Sequence, residues 1–276
     1  MTSSGLPRRY VSTAYIDDLL GRLSDRDWQI IADVWRCRVL SGEQITRLHF
    51  ANISELTRQR TRRVVVARLV DWGVLSPFAR RIGGIRGGSG GSVLALDVAG
   101  QRLVRARWPE TAAEEQRARR PWTPGQLFVA HAVAVSEIFV SLVERSRLGG
   151  YAVAAFTTEP LCWWPNGLGG FLKPDAYLKL SAQRVTGHWW LEADKATESL
   201  PTLQRKLAIY LDFVARGQLG PNDVIPRVML SVPDERRRLG VAGIVERLPS
   251  PASALFAVAT ATDTTAQLTA LIERPS

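Results

Sequence analysis

The chain has 276 residues, 46% hydrophobic and 22% charged, a balance that suits folded domains and excludes a disordered tail or a low-complexity polymer. Its net charge of +10 is unevenly placed: residues 1–110 hold 18 arginines and no lysine against 10 acids, leaving +8 there and only +2 for the rest. That field points to a polyanionic partner, with a solvated basic surface as the alternative. Two distant cysteines, Cys37 and Cys162, make no metal-ligand spacing and suit a reducing cytoplasm, and the opening residues lack the apolar core of a signal peptide.

In chain order, Ser24 is placed to cap a helix over Asp25–Arg36, with Trp28, Ile31, Val34 and Trp35 at helical spacing. Ser41 opens a second helix, and Gln44 three residues on completes a capping box. A third helix is expected from Ser54 to Trp72, stopped by Gly73, its apolar stripe at Val65, Leu69 and Trp72. Strands over Val74–Arg81 and Ser92–Val98 enclose the glycine-rich loop Gly83–Gly91, and a closing helix starts near Gln101. Three helices followed by a hairpin and a helix are the order of a winged helix-turn-helix domain over residues 1–107.

Within the third helix, Thr57, Arg58, Gln59, Arg60, Arg62 and Arg63 form a cluster with four arginines in seven residues. Long donors of this kind read base edges or clamp phosphates when the helix lies in a major groove. Arg58 and Arg62 are spaced to share one face, Gln59 and Arg63 the next. Arg80, Arg81 and Arg86 flank the glycines of the wing, where backbone can come close to a phosphate. No Lys-Ser/Thr follows those glycines, which excludes a nucleotide-binding loop.

Residues 108–125 are charged, alanine-rich and bracketed by prolines, and read as a linker. Residues 126–276 then form a second domain. Gln126–Ser146 is apolar and long, but His131, Ser136 and Glu137 interrupt it, so a core helix is expected rather than a membrane span. Strands follow at Tyr151–Phe156, Phe171–Leu180 and His188–Ala193, with a turn near Ala182–Gly187. A helix at Leu200–Arg216, a strand at Val224–Val232, a helix at Arg236–Arg247 and a strand at Ala254–Ala259 complete the series.

A helix, a three-strand meander, a helix and a strand are the core order of restriction-endonuclease-like nucleases, and the motifs resemble theirs. Pro174-Asp175 and Glu192-Ala193-Asp194-Lys195 are similar to the acidic residue after proline and the Glu/Asp-x-Lys of that PD-(D/E)XK-like group. Asp175 and Glu192, seventeen positions apart, can meet across a hairpin and take Mg²⁺ through oxygen. The pattern departs at the lysine: on a regular strand Glu192 shares its face with Asp194 while Lys195 points away. Lys206 on the following helix is a replacement ammonium, and Glu137 or Glu159 a further metal ligand. Alternatively Asp194 caps the next helix and Lys195 pairs with an acid.

From Leu23 to Val232 the chain also resembles the replication-relaxation family of actinobacterial and other Gram-positive mobile elements. The resemblance is carried by LSDRDWQIIADVWRCRVLSGEQITRLHF, ALDVAGQRLV, VAHAVAVSEIFVSL, KPDAYLKL, WWLEADKATES and KLAIYLDF. It implies an α+β architecture serving plasmid or integrative-element replication or conjugative transfer, with duplex DNA and other replication or transfer proteins as partners. A homodimer and a transcriptional regulator with a ligand-sensing or dimerising second domain stay open as alternatives.

Overall fold

The computed structural model describes residues 11–78, 92–109 and 125–273. The loop expected to form a wing, with Arg80, Arg81 and Arg86, and most of the 108–125 segment lie outside the described residues. Contacts divide the chain into two compact units, Met1–Ala130 and His131–Ser276.

The first unit opens with α1 (Thr13–Arg22), a helix not expected from the sequence, and α2 (Asp25–Cys37). Ser24 caps α2 reciprocally with Asp27, and a second box of Ser41 with Gln44 starts α3 (Gly42–His49), so local side chains satisfy the end groups of both helices. Asp27 is fully buried and tied across the core: the Arg68 guanidinium reaches both its oxygens at 2.6 and 2.7 Å. α4 (Glu55–Asp71) ends where Gly73 takes a left-handed φ of 65°.

Three short strands, β1 (Leu40–Ser41), β2 (Leu75–Pro77) and β3 (Val93–Leu96), form an antiparallel sheet in the order β1-β3-β2. Asp97 then caps α5 (Val98–Arg107), which begins three residues earlier than expected. Gly100 lets α5 approach the sheet closely, since a Cβ there would stand 2.3 Å from the Val74 carbonyl oxygen.

The second unit is built on a mixed five-stranded sheet. α6 (Gln126–Ser146) leads to β4 (Ala152–Thr158). A two-stranded ribbon of β5 (Trp164–Pro165) and β6 (Phe171–Leu172) precedes β7 (Ala176–Ser181) and β8 (Thr186–Ala193). The single strand expected over Phe171–Leu180 is thus interrupted at Lys173–Asp175, where Pro174 has no N–H to offer a ladder. α7 (Leu200–Ala215) crosses to β9 (Arg227–Val232). α8 (Glu235–Arg247) and the short α9 (Ala252–Leu255) cross to β10 (Phe256–Thr260), and α10 (Thr264–Glu273) follows.

The strand order is β10-β9-β8-β7-β4: β4, β7 and β8 are an antiparallel meander, and β8, β9 and β10 run parallel. In β4, at the edge, the register shifts by a bulge between Val153 and Ala155. Trp190 of β8 packs on Tyr210 and Phe213 of α7, while Phe156 of β4 packs on Phe139 of α6. Trp190 and Phe156 have opposite parity in the register, so α6 and α7 cover opposite faces. α6 has the length and apolar character of a membrane span, with mean hydropathy 1.8, but Val135, Ile138, Phe139, Val140 and Leu142 are buried against the protein itself.

Candidate functional site

At the carboxyl end of β8, side chains from α6, β8, α7 and the turn before β7 line one cavity of about 220 Å³. Asp175 sits immediately before β7, fixed by backbone bonds from its N–H to Leu191 O and from Glu159 N–H to its own carbonyl. Its Oδ2 accepts from the Ala193 N–H at 2.7 Å, and its Oδ1 lies 3.2 Å from His131 Nε2. Glu192, the next-to-last residue of β8 and paired with Leu230 of β9, is 3% exposed. Its Oε1 accepts from the Tyr210 hydroxyl at 2.5 Å and its Oε2 from the Lys206 ammonium.

The electrostatics of the pair diverge. Burial, then the neighbouring Asp175 charge, raise the Glu192 carboxyl to about 7 despite its bonds to Lys206 and Tyr210. Burial pushes Asp175 up as well, but the His131 hydrogen bond and the Lys206 charge outweigh it and leave that carboxyl below its ordinary value. The bond to Asp175 raises His131, and the two carboxylates raise Lys206 against the effect of burial. Two carboxyls with opposed shifts in one cleft mark a candidate functional site.

Asp175, Glu192 and Lys206 are therefore brought together. Asp194 and Lys195 lie past the end of β8 on the rim. There Asp194 accepts from the Ala196 N–H at 2.7 Å and from Arg237 Nε at 2.5 Å, while Lys195 is exposed. Glu159 lines the same cavity, whereas Glu137 faces a separate cavity of about 140 Å³ with Ser231 and Pro233. Sequence reading overlooked His131 and Tyr210. In the sequence His131 reads only as a break in an apolar helix, since its partner Asp175 comes from the turn before β7. Tyr210 was findable, being four residues after Lys206 and hence on its face of α7.

Oxygen donors from two carboxylates are the set a divalent ion such as Mg²⁺ prefers. Among the described residues no group of three or more His, Cys, Asp or Glu is arranged to hold a metal. A Mg²⁺ site needs only one or two carboxylates, with phosphate and water completing the shell; Asp175 and Glu192 would serve such an ion only by exchanging their bonds to His131 and the Ala193 N–H and to Lys206 and Tyr210.

In the first unit the α4 cluster divides by helix phase. Arg62 is 3% exposed with its Nε and one terminal nitrogen donating to Gln59 Oε1, and burial lowers its pKa. Arg58 donates to the carbonyls of Ile53 and Ala51. Thr57, Gln59, Arg60 and Arg63 are exposed.

These features define an α+β protein whose mixed sheet carries a buried carboxylate–lysine cavity. The chain belongs to the replication-relaxation family, whose profile matches residues 31–228 and so spans both units. Membership suggests a DNA-related role in the replication or transfer of a plasmid or mobile element. No curated protein and no solved structure matches the chain.

Proposed function

We propose that the chain is a DNA-binding protein of a plasmid or integrative element, made of a winged helix-turn-helix domain that holds duplex and a restriction-endonuclease-like domain that cuts its backbone. The observation that carries this reading is the convergence of Asp175, Glu192 and Lys206 on one cavity. Two further features support it. The element order α6-β4-β7-β8-α7-β9 agrees with that nuclease core, and the site lies at the carboxyl end of a parallel strand, where open α/β sheets place their ligands.

In this reading Asp175 and Glu192 would hold Mg²⁺, and the ion would supply Lewis-acid stabilisation of charge on the phosphoryl oxygens. His131 orients Asp175 and keeps it ionised. Lys206, partly exposed, is the ammonium that the Glu/Asp-x-Lys pattern would have placed at Lys195, and once released from Glu192 it meets the scissile phosphate. In the first domain Arg60 and Arg63, rather than Arg58 and Arg62, face the groove. Conversion of supercoiled plasmid to nicked or linear DNA in Mg²⁺ or Mn²⁺ tests the reading, with Asp175→Ala and Glu192→Ala each expected to abolish it. A wild type that leaves plasmid intact yet footprints upstream of a gene would make the chain a regulator instead.

A further inference from the structure

The exposed face of α4 carries more than charge. Counting 100° per residue, Leu56, Arg60, Arg63, Val64 and Ala67 fall within about a quarter-turn of one another, opposite the face that buries Arg62 and Leu69. All five are exposed; Leu56 is 96% accessible and Val64 63%. Leu56, Arg60 and Val64 follow at i, i+4 and i+8, so a guanidinium stands between two apolar side chains along a ridge of roughly 12 Å.

The occupant of such a ridge must be anionic and yet offer isolated apolar contacts. Arginine is common at protein interfaces as well, so what favours a polyanion over a protein partner is the excess of +8 carried by residues 1–110. The major groove of duplex DNA matches it well: guanine and phosphate oxygens accept from arginine, and the C5-methyl of thymine is the groove's one apolar group. We propose that Leu56 and Val64 are specificity-determining residues that read thymine methyl groups, with Arg60 and Arg63 anchoring the helix beside them. This rests on the DNA-binding reading of the first domain and adds to it which base feature is recognised. RNA duplexes, whose uracil lacks the methyl, are correspondingly disfavoured.

The test uses the full chain and a duplex enriched from a random-sequence library, then synthesised with thymine or with deoxyuridine at every thymine position. Both forms have the same charge and hydrogen-bonding edges. Anisotropy titration at fixed salt should show the deoxyuridine duplex binding about tenfold more weakly, the loss of two buried methyl groups. Leu56→Ala with Val64→Ala should weaken binding to the thymine duplex to the same level and no longer distinguish the two. Arg60→Ala with Arg63→Ala should weaken both duplexes alike and keep their ratio. Equal wild-type affinity for the two duplexes overturns the methyl readout while leaving duplex binding intact. Failure to bind or enrich any duplex overturns the DNA-binding reading and this inference with it. Self-association that the Leu56/Val64 double variant abolishes, with no thymine preference, would assign the ridge to a second copy of the chain.

Discussion

In the first unit the outer arginines of α4 stand in solvent on one face, whereas in the second the charged side chains of the cavity turn inward and close on one another. An exposed cation keeps its hydration, contributes little to folding, and is available to an external anion. A buried carboxylate has lost its water and depends on the donors around it, so Glu192, Lys206 and Tyr210 are bound to stability as well as to chemistry. Exposed charges of this kind can be replaced at little cost to the fold, whereas a buried network of partnered charges cannot.

Three variants test that contrast. Lys206→Met should have the largest effect: it strands the buried Glu192 carboxyl without its cation, a loss of about 1–3 kcal/mol read by urea denaturation. Because the Glu192 carboxyl already sits near 7, above its unfolded value of 4.5, its contribution is complete at low pH and lost as pH rises through 7. The Lys206→Met deficit should therefore be greatest above pH 7 and shrink at pH 5, and a deficit independent of pH would count against a carboxylate stranded without its cation.

His131→Gln comes next. A histidine raised by its carboxylate partner stabilises the fold below the ordinary imidazole value of 6.5 and loses that contribution as pH climbs past the raised one. Thermal midpoints of wild type and variant should differ at pH 6 and converge by pH 9. The smallest effect is expected from Arg60→Ala with Arg63→Ala: stability should stay within about 0.5 kcal/mol, as for ordinary surface positions, even as duplex affinity falls. A large loss of stability there would erase the distinction between the two regions.

Much of this was legible in the residues. The capping serines Ser24 and Ser41 marked their helices correctly, because a cap is a local bond between residues three apart. The pairing of Asp175 with Glu192 was readable too, since a hairpin needs only its turn and its register. Helix phase divides the α4 cluster: the stripe Val65, Leu69, Trp72 continued backwards by seven residues lands on Arg58 and Arg62, of which the fold half-buries the first and buries the second. His131 was not legible, because its partner lies 44 residues away and only the packing of α6 against the sheet joins them. The replacement of Lys195 by Lys206 depended on where β8 ends, and that is decided by the loop in which Arg237 holds Asp194 and the Glu198 carbonyl.

The bulge in β4 has its own consequence. An outermost strand exposes a row of unpaired amides to any other chain able to extend, and a regular row is a template for growth. The irregular step between Val153 and Ala155 breaks the regularity of that row, so two copies meeting along this border would find their donors and acceptors out of phase.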